Sequence, residues 1–359
     1  MSDVAPDAET MPDREAGAWD IYTAVPTVDA YAAHGIGHRP QLAIDASGTF
    51  HIAHVHQATG DVLYTRGTPG RLATERIGHQ DAGPTETNPA SLLVTLDGMV
   101  HVAYDHDSST LGPVHVMRAT DGTWSTVALP FMPGPREAAE PVMAMFPDGH
   151  LLFVGTGNSV DDQLREIVVW EGSDGPTSIG RGFDGGGLYL SAVVTSDGVP
   201  HASFDDLVSD AIDVATRVGV TWNVRARTGI FVGALAAGGD GTLHVVSIGQ
   251  TAGGFELAHE HGDSSDQASV RDVIAAGAFQ FESPSVVADA RGVVHVAYEL
   301  PGEEHYATNA TGAWVDETIE IVSTENGRPS IALAPDGAVW IAYRDETEAL
   351  VLATHRRHP

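Results

Sequence analysis

Three arginines far apart in the chain, Arg39, Arg328 and Arg344, have the side chain best shaped to grip a small anion. A guanidinium forks onto a carboxylate or phosphate with two parallel hydrogen bonds. They are conspicuous in a chain of formal net charge −31, whose 18 basic residues, all arginine, face 49 acidic ones. Tyr343, His56, Asp105, Asp205 and Glu299 are candidate acids, bases or nucleophiles. Two opposed carboxylates, Asp105 with Asp205 or Glu299, would suit glycosidic hydrolysis. A Tyr343 or His56 base beside arginines that neutralise a uronic carboxylate would suit a lyase. Asn88, Tyr104 and Tyr298 would complete a ligand surface, rings for sugar faces and an amide for hydroxyls.

His38, His56 and His106, with Asp105 beside them, are donor types that a transition metal accepts, and acidic loop ends suit calcium. His54 and His56 are two apart on a strand and share one side of it. The pair in His259-Glu260-His261 is expected at the opposite rim, in solvent. A competing reading pairs the arginines with Asp45, Asp345 or Glu346 as stitches between neighbouring units.

What must position these groups is a sequence repeat. Arg328-Pro329-Ser330-Ile331 to Tyr343-Arg344-Asp345 reads as a short apolar strand, an Asp-Gly turn and a second apolar strand. The turn glycine recurs at Gly48, Gly98, Gly149, Gly198, Gly241, Gly292 and Gly337, at intervals of 43 to 51 residues. That is the size of a four-stranded propeller blade. Pro40, Pro89, Pro141, Pro284 and Pro329 open the first strand, where a missing N–H costs no ladder bond. Glycine supplies the positive φ of a tight hairpin. Three residues after it stand His51, His101, Leu152, His201, His244, His295 and Trp340. A side chain repeated in this way is expected to be a packing and hydrogen-bonding device.

The repeat predicts an all-β, seven-bladed β-propeller of four-stranded antiparallel blades. After an acidic disordered tail over 1–15, one domain is expected over 16–359, with blades at about 37–78, 87–129, 139–180, 186–228, 230–276 and 282–323. The last, 327–356, lacks a fourth strand. The spare segment 17–24 around Trp19 resembles the fourth strands at Trp124 and Trp314, so it is expected to complete that blade and close the ring. Blades 3 and 5 are the irregular ones. Strand starts and second-strand ends then meet on one face, opposite the Asp-Gly turns, which gathers His38, Arg39, Asn88, Arg328, His56, Tyr104, Asp105, His106, Asp205, Tyr298, Glu299, Tyr343 and Arg344 at the channel mouth. The polar departures fall mainly in blades 7, 1 and 2, which favours one asymmetric site.

The units Pro284-Ser285-Val286-Val287-Ala288-Asp289, His295-Val296-Ala297-Tyr298 and His305–Trp314 resemble repeats of bacterial sialidase-like and lectin-like propellers. The resemblance covers all seven repeats and implies the architecture. A sialidase Asp-box lies between third and fourth strands, whereas here the Gly-x-x-His/Trp motif lies between first and second, so the activity does not carry over. Either a binding module for a carbohydrate or small anionic ligand, or a lyase or hydrolase at the same mouth, fits the residues. A protein-interaction scaffold is a third reading.

The negative charge argues against nucleic acid or an anionic membrane as partner. No run approaches the length of a membrane span. With no cysteine there is no disulfide framework. A monomer is expected. Exported or cell-surface placement is favoured, although residues 1–15 carry no apolar signal core.

Overall fold

A computed structural model describes residues 12–16, 18–25, 38–56, 59–80, 91–106, 112–130, 141–159, 164–172, 175–183, 190–206, 211–228, 230–263, 265, 269–278, 282–322, 328–347 and 349–355. Their regular structure is entirely β. The chain opens with β1 (Arg14–Ala16) and β2 (Trp19–Val25). Blade 1 follows as β3 (His38–Ile44), β4 (Phe50–His56), β5 (Asp61–Thr68) and β6 (Arg71–His79). Blade 2 is β7 (Ser91–Val94), β8 (Val100–Asp105), β9 (Pro113–Arg118) and β10 (Trp124–Ala128). Blade 3 is β11 (Val142–Met145), β12 (Leu151–Ser159), β13 (Leu164–Glu171) and β14 (Thr177–Phe183). Blade 4 is β15 (Ser191–Val194), β16 (Pro200–Asp206), β17 (Ala211–Val218) and β18 (Thr221–Thr228). Blade 5 is β19 (Ile230–Ala237), β20 (Leu243–Thr251), β21 (Gly254–Gly262) and β22 (Ser269–Gly277). Blade 6 is β23 (Glu282–Ala288), β24 (Val294–Leu300), β25 (Glu303–Thr308) and β26 (Val315–Ile321). The last three strands are β27 (Ser330–Leu333), β28 (Val339–Arg344) and β29 (Leu350–His355).

Each blade is an antiparallel meander, and its first strand packs against the first strands of both neighbours, so the seven inner strands complete a ring. The N-terminal segment closes it: β2 pairs with β29 in the register Trp19↔His355 to Thr23↔Val351. Trp19 is buried there, edge-on to Tyr306 of blade 6 at 5.2 Å. Beyond it β1 adds a fifth strand to blade 7, so Arg14 and Glu15, expected in the tail, belong to the sheet.

The core is divided in the same way. Seven buried apolar clusters each fill one gap between adjacent blades, from Ile21, Ile331 and Ile341 against Tyr306 and Ile319 to Leu235 and Val245 against Ile212 and Val214. Burial on both faces explains why β8 and β24 lack the strict apolar–polar alternation of a half-exposed strand. Polar links also cross the gaps. The hydroxyls of Ser91, Ser191, Ser285 and Ser330 accept the backbone N–H of Met143, Leu235, Ile331 and Leu42 on the following blade, at 2.9–3.2 Å.

All seven turns between first and second strands contain five residues. In each, the glycine N–H bonds the carbonyl three residues back, for example Gly48 to Asp45 at 2.9 Å, and its φ lies between 79° and 91°. An L side chain there would strain the backbone, which is why the glycine recurs. The repeat histidines are structural: His51 meets Tyr64, His101 meets His115, His201 meets Thr216, His244 meets His259 and His295 meets Tyr306, at 2.6–3.0 Å. His259 is therefore buried in this scheme rather than in solvent as expected. Burial drives the His244 imidazole down to about 4 and that of His259 to about 3.

Candidate functional site

The position seven residues after each turn glycine lies near the far end of the second strand, on the face opposite the turns. Going round the ring it is Val55, Asp105, Thr156, Asp205, Ile248, Glu299 and Arg344. All seven side chains are buried, the four charged ones being 2–6 % exposed. None of those four lacks an interacting partner. The fold itself does not call for charge here, because Val55 and Ile248 fill the same place in the same architecture. Burying a charge costs several kcal/mol, on the order of the net gain from a good pairing, so it brings the fold no clear advantage. Four charges at seven equivalent positions are consequently a departure from what packing alone would select.

Other expected residues divide into groups. Arg39 and His38 are strand residues of β3 whose side chains lie outside the description, and Asn88 lies outside the described residues altogether. Arg328 precedes β27 with φ +44°, the one described residue besides glycine in the left-handed region. Such strain is tolerated only where the surroundings hold it. Its side chain is partly exposed and has a partner.

The tyrosines need correcting. Tyr104, Tyr298 and Tyr343 are at most 2 % exposed, with rings inside the gaps between blades, so no face is open for a sugar to stack on. Gly78 of blade 1 makes room for Tyr104, since a Cβ there would fall 1.8 Å from the phenol oxygen. Tyr298 donates to Asp316 at 2.6 Å and Tyr343 to Glu320 at 2.7 Å. Burial first, then the Asp316 carboxylate, pushes the Tyr298 phenol well above its ordinary value.

Of the proposed metal-ligand histidines, the His38 side chain lies outside the description, and His56 and His106 make separate described contacts. His54 bonds Thr65 at 2.9 Å, and full burial lowers it to about 3. His56 uses Nδ1 to accept the backbone N–H of Thr59 at 3.1 Å, with the Thr59 hydroxyl at 3.0 Å. That fixes the turn into β5 and places the imidazole proton on Nε2. Burial lowers the His56 pKa. His106 stacks obliquely on Tyr104 at 6.3 Å. Among the described residues no group of three or more candidate ligands is placed to hold a metal ion. Asp345, one proposed arginine partner, spends Oδ1 on the Thr347 N–H, the Thr347 hydroxyl and the Ala349 N–H at 2.7–3.0 Å, which caps its own turn.

Blade 6 holds what the sequence reading missed. Glu299, Glu304 and Glu320 stand directly opposite one another on β24, β25 and β26. Residues opposite in register share a face, so the three carboxyls form a row towards blade 7, whose Tyr343 meets the last of them. On the other face, His305 lies 3.4 Å from Asp316 and 3.1 Å from Glu303. Burial opposes its charge, but the two carboxylates outweigh that and raise its pKa. The signal was available: Glu303-Glu304-His305 follows a two-residue turn, so simple pairing puts Glu304 opposite Glu299.

Ring and mouth together define a seven-bladed β-propeller with one chemically distinct face. No protein-family model matches the sequence, and no curated protein matches it. Solved structures do share the fold. An ulvan lyase from a polysaccharide lyase family superposes with a TM-score of 0.61 at 11 % identity, over 94 % of this chain and 96 % of the lyase. The lectin of Aleuria aurantia, bound to a fucosylated GlcNAc, gives 0.53 at 10 % identity, over 80 % and 97 %. A Hadza microbial sialidase gives 0.52 at 14 % identity, over 94 % of this chain and 68 % of that one. At these identities the likeness is one of architecture alone, the β-propeller fold.

Proposed function

We propose that this protein binds a carbohydrate at the channel mouth, through the face on which Asp105, Asp205, Glu299 and Arg344 converge. The observation that carries the reading is the occupancy of one repeat position by three acids and an arginine where the same fold accepts Val55 and Ile248. Carboxylates accept sugar hydroxyls, and of the arginines the partly exposed Arg328 suits direct contact with a uronic or otherwise anionic group, while Arg344, as buried as Tyr104, would act on it through its charge, with Arg39 at the neighbouring strand start. The lyase, lectin and sialidase that share the architecture make sugars the natural first ligands to test. A glycan array that includes neutral and uronic oligosaccharides is the test, followed by titration calorimetry of any hit against Asp205→Asn and Arg344→Gln. Binding weakened at least tenfold in both variants supports the reading; no binding to any glycan sinks it.

A second reading keeps the ligand and adds turnover. Asp105, Asp205 and Glu299 come from three blades around one opening, as a pair of carboxylates acting from opposite sides of a glycosidic bond requires. Release of reducing ends would indicate hydrolysis, and new ultraviolet absorbance from an unsaturated uronate would indicate elimination. Among the described residues no helix is long and apolar enough to cross a membrane.

A further inference from the structure

The carboxyl row of blade 6 contains a group that neither binding nor turnover at the mouth has yet used. Glu304 is 1 % exposed, and its Oε1 is buried with no hydrogen-bond partner. It stands between Glu299 on β24 and Glu320 on β26, both acidic. From blade 7 the facing group is the Tyr343 phenol, already committed to Glu320, and the Tyr298 phenol lies within electrostatic reach. Among the described residues no cation acts on Glu304. An ionised carboxyl so placed would have lost its water and gained no donor, a cost that a side chain escapes by keeping its proton. Glu299, one strand nearer the channel, does have a partner.

We propose that Glu304 holds a proton at neutral pH beside an ionised Glu299, and that this acid and base form the proton-handling edge of the mouth. Burial, then the charge on Glu299, pushes the Glu304 carboxyl well above the ordinary carboxylate range, in agreement with the geometry. Neighbouring titratable groups whose environments drive them apart are how a protein keeps an acid and a base side by side at one pH. The only transfer required is internal: the O–H bond of Glu304 breaks as one forms on Glu299. The pair keeps one proton and one negative charge throughout. Glu299 can then accept a hydrogen bond from a ligand hydroxyl while ionised, or donate one to a ligand oxygen while it holds the proton. Glu304 acts through Glu299 and is a positioning residue. The ligand side of this inference rests on the mouth being a carbohydrate site; the proton does not.

The test is carboxyl-region infrared difference spectroscopy on the full chain without ligand, titrated from pH 4 to 9. A protonated-carboxyl band is expected at pH 7 in the wild type and absent from Glu304→Gln, a neutral isostere. In Glu299→Gln the band should persist at acid pH but titrate away at lower pH, since the like charge that favours the neutral form is gone. A spectrum with every carboxyl ionised at pH 7, or a band indifferent to Glu299→Gln, overturns the proposal. If Glu304→Gln does not fold, the shift in Glu299→Gln decides alone. Because no sugar is present, failure here is distinct from an empty glycan array, which would remove the carbohydrate reading instead.

Discussion

The two ends of the second strand have followed different rules in this molecule. At the turn end every connection has five residues, every turn carries a left-handed glycine, and five of seven blades place a histidine three residues on. At the mouth end the link to the next blade runs from one residue, between β18 and β19, to thirteen, between β10 and β11. There the equivalent buried side chain is aliphatic, hydroxylic, acidic or basic. Repetition at one end says that the fold needs the group, and divergence at the other says that it does not. The two exceptions at the turn end support this. Leu152 and Trp340 replace the histidine where the diagonal neighbour on the third strand is Val169 or Leu352, whereas four of the blades that keep it offer Tyr64, His115, His259 or Tyr306 there, and His201 bonds Thr216 directly opposite. Wherever the histidine is kept it meets a polar partner, which is what the cost of an orphaned buried donor demands.

The largest test of the contrast is pH, because the two ends should respond with opposite sign. His259 is lowered to about 3, and His115, His201 and His244 to about 4, each chiefly by burial. Unfolding returns them to about 6.5, so between about pH 4 and 6.5 the unfolded chain binds more protons. Stability should be full above about pH 6.5 and fall as the pH drops towards 4, by an amount on the order of several kcal/mol for the set. Glu304 works the other way. Its raised folded pKa gives stability that is complete below about 4.5 and is lost as the pH rises through the folded value. Glu304→Gln should therefore raise the melting temperature at pH 8 and leave it unchanged at pH 4. Thermal melts across this range would fail the account if acid did not destabilise the wild type, or if Glu304→Gln were neutral at both pH values.

Next in size are the histidine pairs. His244→Leu alone should cost about 1–3 kcal/mol, since His259 loses its partner while still buried. The double change His244→Leu with His259→Val copies Leu152 with Val169 and should recover most of that loss. Chemical denaturation of the three proteins measures it. A double variant as unstable as the sum of its singles would mean that the histidines do more than satisfy each other.

How far all this could be read from sequence follows the same divide. Seven blades, the closing strand at Trp19 and the structural role of His51 and its equivalents were legible, because each is written several times over and each copy checks the others. The opposite end of the second strand is written once per blade with different letters, so Asp105, Asp205, Glu299 and Arg344 could be proposed for a site there but not weighed. Tyr104, Tyr298 and Tyr343 misled because alternation along a strand does not reveal that both faces are buried; the gap between blades takes up the phenols as readily as a sugar would. Glu304 was missed because it has meaning only through its opposition to Glu299, a matter of register. The polar departures were expected mainly in blades 7, 1 and 2, whereas the buried charges seven residues after the turn glycine come from blades 2, 4, 6 and 7.

Mouth variants sharpen the contrast from the functional side. If Asp105 serves a ligand, Asp105→Asn should weaken glycan binding about tenfold, or 1.4 kcal/mol, and do so without the pH-dependent loss of stability seen for the histidines. Calorimetry beside a melt at pH 7 separates the two. A variant that melts far below the wild type and still binds normally would place Asp105 in the structural column with His101, a few residues before it on the same strand.

The smallest expected effect is at the turn glycines, and its size can be argued from geometry alone. A Cβ built on Gly48 meets nothing within 4 Å, so Gly48→Ala meets no steric obstacle and pays only for φ at +80°. That cost is about 1–2 kcal/mol, a shift of roughly 1–3 °C in a chain this long. Gly48→Asn should lose less, since asparagine enters the left-handed region more readily than alanine. Gly78, near the other end of blade 1, has the converse reason to be glycine: its φ is ordinary, but the Tyr104 phenol occupies the space of its Cβ. Because the ring carbon Cζ would also lie 2.4 Å from that Cβ, Gly78→Ala should cost less in a Tyr104→Leu background, and Gly48→Ala should cost the same there. If both were relieved, or neither, the distinction drawn here between a glycine chosen for its backbone and one chosen for its neighbour would fail.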